Sequence, residues 1–156
     1  MSYANKTSVP VEKTKYEIEA TLRRYKADQF MSGWNEGEAF VAFRCRSWII
    51  RFRVKTPMRN ERRFTHTEKN KLRVAHLAEQ EFEQATRSIW RGLLLCIKAK
   101  LESVESGIET FEEAFLAHVV LPGGETMGDW AKTALPQAYA NQEAPQLALP
   151  MAKGSS

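Results

Sequence analysis

The sequence lacks most features that mark secreted, membrane-spanning or disulfide-rich proteins. Its two cysteines, Cys45 and Cys96, lie far apart, and their apolar neighbours predict two buried thiols in a reducing cytosol. No apolar run opens the chain as a signal peptide would, and the longest apolar block, residues 93–97, is too short to span a bilayer. We therefore expect a cytoplasmic protein with no membrane partner.

Motifs of enzyme chemistry are also missing. The chain has no Gly-rich phosphate loop, no nucleophile elbow and no Cys-x-x-Cys pair. His66 has no paired carboxylate, while His76 and Glu79 together supply too few ligands for a metal. His118 lies between apolar neighbours and predicts a core or interface position. The sequence thus predicts no catalytic residue, no metal and no cofactor, and we do not expect an enzyme.

Negative charge is nearly absent from residues 44–73. This segment carries eight arginines and three lysines against Glu61 and Glu68, a net charge of +9, whereas the whole chain is only +4. Charge concentrated in this way acts as a field whose natural partner is a polyanion. Since 156 residues with 43% apolar side chains can bury a core, we expect one folded domain to carry that field.

A β-hairpin is predicted within the basic segment. Residues 38–45 and 48–55 alternate apolar and polar side chains, and a two-residue turn at Arg46 and Ser47 would join them. This register places apolar residues opposite one another on a single face of the hairpin, and we expect that face to be buried. The predicted pairs are Cys45 with Trp48, Phe43 with Ile50, Val41 with Phe52, and Ala39 with Val54.

The other face of this hairpin is basic, with apolar and aromatic residues among the charges. An extended nucleic-acid strand could lie across its cations, and Phe40 could stack on a base. Trp34, at the end of the preceding strand-like segment, is expected to pack at the core or sheet edge, and the alternative is an exposed ring that stacks on a base. The outward residues are Phe40, Ala42, Arg44, Ile49, Arg51, Arg53 and Lys55.

Residues 56–67 show no periodicity and predict a mobile, strongly basic loop of a length that is often functional. Arg59, Arg62 and Arg63 could close over a strand as a clamp, and His66 could help to bind phosphate. The alternative is a solvated surface whose cations are partnered by acidic residues such as those at 79, 81 and 83.

The remaining segments predict helices. A long helix is expected over residues 68–106, with Thr67 as its N-cap, a stop at Gly107 and a break near residues 78–81. Thr110 and Glu113 form a capping box for a shorter helix, and residues 126–139 predict a last one.

The expected fold class is therefore α+β: an N-terminal helix over residues 11–26, a three-stranded antiparallel sheet, then a long helix and two shorter helices. The predicted domain covers residues 11–140, between a flexible arm (1–10) and a disordered tail (141–156). The same order of elements occurs in double-stranded-RNA-binding domains, and single-strand-annealing proteins also follow a sheet with a long helix. Both are likenesses of architecture alone.

Three stretches resemble a family of small, functionally unassigned proteins encoded in phages and prophages. They are Thr7-Ser-Val-Pro-Val-Glu-Lys-Thr14, Ile97-Lys-Ala-Lys-Leu-Glu-Ser-Val-Glu-Ser-Gly-Ile-Glu-Thr-Phe-Glu-Glu113 and Phe115-Leu-Ala-His-Val-Val-Leu-Pro122. The resemblance implies a bacterial host cytoplasm and a role in phage DNA metabolism or in contending with the host.

Three functional hypotheses follow. The first is a non-enzymatic phage-type protein that binds nucleic acid, single-stranded DNA in preference to double-stranded DNA or RNA. The second is an inhibitor of a host defence protein complex that acts by protein–protein contact. The third is a small nucleotide-binding or phosphate-handling protein that uses His66 and the loop arginines. Apolar surface on more than one side of the long helix leaves homo-oligomerisation open.

Overall fold

The fold is a three-stranded antiparallel sheet with helices packed on one face, as the sequence predicts for an α+β protein. The computed structural model describes residues 4–146. The sheet order is β1-β2-β3. The elements are α1 (Val11–Arg24), β1 (Gln29–Asn35), β2 (Glu38–Cys45), β3 (Trp48–Lys55), α2 (Arg62–Thr65), α3 (Ala75–Glu105), α4 (Phe111–Phe115), a 3₁₀ turn (Leu116–His118) and α5 (Met127–Asn141).

The predicted hairpin register is confirmed. Cys45 pairs with Trp48 and Phe43 with Ile50, and the remaining pairs follow in the predicted order. The turn holds Arg46 and Ser47 at φ of 52° and 67°, the left-handed geometry of a two-residue hairpin turn, although neither is glycine or asparagine.

The inner face of the sheet forms the core with α1 and α3. Ile18 and Leu22 come from α1 and Leu94 and Ile97 from α3, and each is almost fully buried. Phe115 of α4 meets the rings of two strands edge-on, with centroids 5.9 and 6.3 Å away. Because the helices cover this face, the polar and charged residues of the alternating pattern in β2 and β3 lie on the other face.

The long helix differs from its prediction at the N-terminus. It begins at Ala75 instead of residue 68 and runs without a break to Glu105. Thr67 is not its N-cap, because Thr67 and Lys71 close a turn in which Asn70 adopts a φ of 62°. At the other end, Gly107 at φ 74° stops the helix as predicted.

The basic segment after β3 is more ordered than the sequence predicts. It contains α2, and Phe64 of α2 is buried edge-on against Phe82 of α3, with ring centroids 5.8 Å apart. His66 bridges to Leu72, and the Arg73 backbone N–H donates to the Thr65 carbonyl. The buried ring of Phe64 and this short backbone pairing hold the segment in place, although its sequence lacks periodicity.

The chain after α4 closes the β3 edge of the sheet. Val119 bridges to Ile50, the Val120 N–H donates to the Ile49 carbonyl at 2.8 Å, and Val120 bridges in turn to Thr126. Capping boxes begin both neighbouring helices. The predicted one joins Thr110 and Glu113, and another joins Thr126 and Asp129.

The predicted arm and tail lie partly outside the described residues. Residues 4–10 lie against α3, where the carbonyls of Asn5 and Thr7 accept hydrogen bonds from Gln84. The last helix continues to Asn141, and residues 147–156 are outside the described part. Within residues 4–146, no helix combines the length and apolarity needed to cross a membrane.

The cysteines correct one prediction. Cys45 is buried in the core as expected, whereas Cys96 is exposed on α3. Cys96 lies beside the buried Ile97 on a helix whose opposite side faces solvent, so apolar neighbours in sequence did not mean burial.

Candidate functional site

A groove on the outer face of the sheet brings together part of the predicted site. Strand alternation that buries Val41 and Phe52 turns Phe40, Arg51 and Arg53 the other way. We call this concavity, of about 540 Å³, the outer-face groove. It is lined by Met31, Trp34, Asn35, Glu38, Phe40, Ala42, Ile49, Arg51, Arg53 and Val120.

The groove has a floor and two sides. Phe40 and Arg53 are opposite each other in the β2–β3 register, and Ala42 faces Arg51. β1 forms one side and Val120, which extends the sheet beyond β3, forms the other. No sequence pattern predicts this second side, because Val120 lies far from β3 along the chain and meets it only in the folded structure.

Phe40 lies directly over Gly33 of β1. A Cβ built at Gly33 would stand 2.4 Å from the Phe40 ring, so only glycine leaves room for the ring in this position. The ring is half-buried and lines the groove.

Trp34 stands exposed at the β1 side of the groove, contrary to the packing role expected for it. Its relative accessibility is 74%, and Met31, three pairs away along β1, is at 60%. An exposed indole beside a cationic floor can stack on a planar ring.

The two groove arginines are held differently. Arg51 Nη2 donates to the Gly124 carbonyl at 2.8 Å, a neutral partner, so its charge is not cancelled. Arg53 Nε donates to Glu38 Oε1 at 3.0 Å, and both side chains are about half exposed. Exposed ion pairs of this kind contribute about 0–1 kcal/mol, so a phosphate can compete for Arg53.

Arg44 and Lys55 lie at opposite ends of the outer face and outside the groove lining. Arg44 holds Asp28 with two short hydrogen bonds, Nη2 to Oδ2 at 2.6 Å and Nε to Oδ1 at 2.9 Å. The hydrogen bond from Arg44 holds the pKa of Asp28 below its ordinary value. Lys55 is exposed and faces Glu38 across the register.

Arg59 is placed on the helix side of the sheet, apart from Arg51 and Arg53. Its guanidinium binds Glu79 through Nη2 and Nε, at 2.9 and 3.0 Å, and lies 4.3 Å from the centroid of Phe82. The hydrogen bond from Arg59 lowers the pKa of Glu79. Arg59 lines a separate cavity of about 600 Å³ that meets the outer-face groove only at Trp34 and Asn35.

The other predicted site residues of the loop, Arg62, Arg63 and His66, line neither cavity. Arg63 pairs with Glu61 at 2.6 Å, and Arg62 donates to the side chain of Asn70. His66 Nδ1 lies 2.7 Å from the hydroxyl of Thr65. The acidic partners proposed for the basic surface are thus partly present: besides the pairs above, Glu81 of α3 lies 3.6 Å from Arg73.

A smaller polar cavity, of about 210 Å³, adjoins the groove between β3 and α5. Arg51 and Arg53 line both spaces, so these two side chains lie between them. We call it the β3–α5 cavity. Its lining is Arg51, Arg53, Ala117, His118, Thr126, Gly128, Asp129 and Lys132.

His118 forms an apolar contact on one side of this cavity. Its ring stacks on Phe52 with centroids 4.0 Å apart. Burial lowers the pKa of His118, and the positive charge of Lys100 acts in the same direction, while a hydrogen bond with the Arg51 backbone opposes them. The sequence prediction of a core or interface position missed the cavity, and it missed Lys132 and Asp129 altogether.

Among residues 4–146 there is no group of three His, Cys, Asp or Glu side chains that could hold a metal ion. Comparisons of the chain with known protein families, with curated proteins and with solved structures found no match.

Proposed function

We propose that the protein binds single-stranded nucleic acid, DNA in the first instance, through the outer-face groove. The observation that carries the proposal is the pairing of Arg51 and Arg53 with Phe40 on one floor, beside the exposed Trp34. Single-strand-binding surfaces combine these two elements: cations that follow the phosphates, and aromatic rings on which bases stack whatever their sequence.

In this proposal the site residues divide into two groups. Arg51, Arg53, Phe40 and Trp34 bind directly, and Lys55 and Arg44 add charge at the two ends of the outer face. Arg59, Arg62, Arg63 and His66 lie outside the groove lining, so they act as a surrounding field and not as a clamp. Their exposed partners, such as Glu79 and Glu61, can release them if a longer strand reaches them.

Duplex DNA fits the groove less well than a single strand does. Its recognition usually uses an element that enters the major groove, whereas here the cations lie on a recessed floor between two sides. Bases that are unpaired can turn toward Phe40 and Trp34 while the phosphates follow Arg51 and Arg53. The resemblance to phage proteins makes phage DNA metabolism in a bacterial cytoplasm the setting that we propose.

Fluorescence anisotropy with a labelled oligonucleotide at several salt concentrations tests this function. Replacing Arg51 and Arg53 together by Gln should weaken binding at least tenfold and reduce the log–log salt slope by roughly 1.4, because each single-strand phosphate contact contributes about 0.7. The matched control replaces Arg23 and Arg24 of α1, both exposed, and removes the same charge on the helix side.

A stacking test complements the charge test. Trp34→Ala should weaken binding by about 1–3 kcal/mol if a base stacks there. Equal weakening by the groove pair and the α1 pair, with no effect at Trp34, would mean that binding follows net charge alone and would reject the site.

Inhibition of a host protein complex is the second candidate, and a different surface favours it. Leu72, Val74 and Leu77 expose 79%, 59% and 42% of their surface just before and within the first turn of α3. Apolar residues clustered on a surface away from the groove fit a protein partner. A pull-down from nuclease-treated host lysate, in which wild-type protein retains a partner that a Leu72→Ser/Leu77→Ser variant loses, would support this function over nucleic-acid binding.

A further inference from the structure

The β3–α5 cavity collects more positive charge than its single acidic residue offsets. Arg51, Arg53 and Lys132 contribute three cations, and Asp129 is the one carboxylate in the lining. Glu38 pairs with Arg53 from the groove side. Counting this pair as neutral still leaves Arg51 and Lys132 against Asp129, so the cavity attracts an anion.

The Asp129 side chain already forms a hydrogen bond at the N-terminus of α5. Its Oδ2 accepts from the Thr126 backbone N–H at 3.2 Å, and the Thr126 hydroxyl accepts in turn from the Asp129 N–H. The hydrogen bond from the Thr126 backbone holds the pKa of Asp129 below its ordinary value, so the group stays a carboxylate and stays in the cap. Its negative charge still acts on Lys132 and Arg53, which lower the pKa of Asp129 further, so one net positive charge remains in the cavity for a ligand.

Arg51 has hydrogen-bonding capacity beyond its contact with Gly124. Its Nε is buried and has no acceptor among the described residues. Because Nε is closed off from solvent, a ligand would reach this guanidinium through its terminal nitrogens, which are strong donors to oxyanions.

Close packing of the chain builds this cavity. A Cβ at Gly128 would lie 2.8 Å from the Ala117 carbonyl, so the first turn of α5 approaches the 3₁₀ turn only because this residue is glycine. That approach brings Lys132, one turn along α5, to the same space as His118 and the β3 arginines.

The size of the cavity selects the ligand class. About 210 Å³ is below the roughly 300–1,000 Å³ typical of pockets that enclose whole small molecules. A tetrahedral oxyanion fits this space and its cations better than a base or a nucleoside does. We propose that the β3–α5 cavity binds a phosphate group, with Arg51, Arg53, Lys132 and His118 around it.

This inference rests on the proposed function, because the phosphate it takes is that of a strand leaving the outer-face groove. Arg51 and Arg53 line both spaces, so one strand can place a base over Phe40 and a neighbouring phosphate between β3 and α5. Lys132 and His118 thereby become part of a nucleic-acid site that the basic segment alone did not include.

The test uses Lys132→Ala, because Lys132 is exposed and its removal leaves the core intact. We expect oligonucleotide binding to weaken about fivefold, with a salt slope smaller by roughly 0.7, one phosphate contact. Lys98→Ala, which removes an equal charge from an exposed site on α3, should change binding by less than twofold. Oligonucleotides with and without a 5′-phosphate distinguish a terminal from an internal phosphate.

A second measurement separates failure of this inference from failure of the proposed function. NMR of the His118 ring, titrated with inorganic phosphate, should show a shift in the wild type that Lys132→Ala weakens. If oligonucleotides bind but the Lys132 and Lys98 variants behave alike, the phosphate site is wrong and the function stands. A phosphate-dependent shift without oligonucleotide binding supports the site and overturns the function. Absence of both overturns both.

Discussion

Gly33 decides how Phe40 is presented, because any side chain at that position would occupy the space of the ring. The nearest Phe40 carbon would lie 2.4 Å from a Cβ, well inside contact distance. The ring can move only by leaving the groove floor. A residue with no side chain thus fixes the position of the aromatic group that is proposed to meet a base.

Gly33→Ala should therefore lower both stability and binding. We expect a loss of about 1–3 kcal/mol in the free energy of unfolding, the usual cost of overpacking, together with weaker oligonucleotide binding. Urea denaturation and anisotropy measure the two effects. Gly92→Ala is the control, because a Cβ there meets nothing within 4 Å and alanine in a helix interior should stabilise by up to about 1 kcal/mol.

Titration of His118 makes the stability of the protein depend on pH above the range in which carboxylates titrate. Its pKa is lowered in the folded state, so the unfolded chain binds the proton more readily. Stability contributed by the neutral ring is therefore present above the unfolded pKa of about 6.5 and is lost as the pH falls below it. Burial is the main cause of the lowered pKa, the positive charge of Lys100 acts in the same direction, and a hydrogen bond with the Arg51 backbone opposes both.

Between pH 7 and pH 5 the wild type should accordingly lose stability, and His118→Gln should lose less over the same interval. Chemical denaturation at four or five pH values measures the slopes. Identical slopes for the two proteins would show that the ring does not titrate differently in the folded state. Inorganic phosphate should reduce the loss in the wild type if it binds beside the ring.

At the scale of elements, the sequence predicts the hairpin better than the helix that follows it. The alternation of apolar residues leaves one register for β2 and β3, and the structure has it. The start of α3 was wrong by seven residues because Thr67 is as suitable for a turn as for an N-cap. The αL conformation of Asn70 settles the local competition in favour of a turn.

Prediction of the site from sequence is limited in a similar way. Alternation along β3 predicts that Arg51 and Arg53 face outward together, and they do. It cannot predict that Gly124 accepts from Arg51, because that partner comes from a remote part of the chain. Glu79 was among the expected acidic partners, but its pairing with Arg59 in particular was not predicted. Local patterns specify where a side chain points, whereas tertiary packing specifies what it meets.

Phe64 should control the order of the whole segment between β3 and α3. Phe64→Ala removes the buried ring that meets Phe82, at a cost of about 3 kcal/mol if the segment cannot collapse onto the space. Hydrogen exchange should accelerate at the amides of His66 and Arg73, which pair within this segment. Exchange in β2 should stay unchanged; faster exchange there would indicate global destabilisation instead.

At the scale of the molecule, Phe115 packs between the sheet and the helices that cover its inner face. Its fully buried ring contacts Phe43 and Phe52 of two strands edge-on and Phe111 of its own helix at 4.9 Å. Phe115 also precedes the 3₁₀ turn that carries His118, so it connects the core to one wall of the β3–α5 cavity.

Phe115→Leu keeps an apolar side chain but removes three aromatic contacts worth about 0.5–1.5 kcal/mol each. We expect a loss of about 2 kcal/mol with an unchanged denaturant m-value, and faster hydrogen exchange at Val120. Phe30→Leu is the control, since Phe30 packs against the same core from β1 without a paired ring among the described residues. Equal losses for both substitutions would assign the effect to volume alone.

The bridge between Ile50 and Val119 also sets an order of assembly during folding. Two residues connect β2 to β3, whereas this bridge joins positions roughly 70 residues apart, and closing so long a loop is slow. The hairpin with Arg51 and Arg53 can form early, but the Val120 side of the groove and the α5 cap are completed last. A chain still emerging from the ribosome therefore acquires its charged floor before it has the walls that would select a ligand.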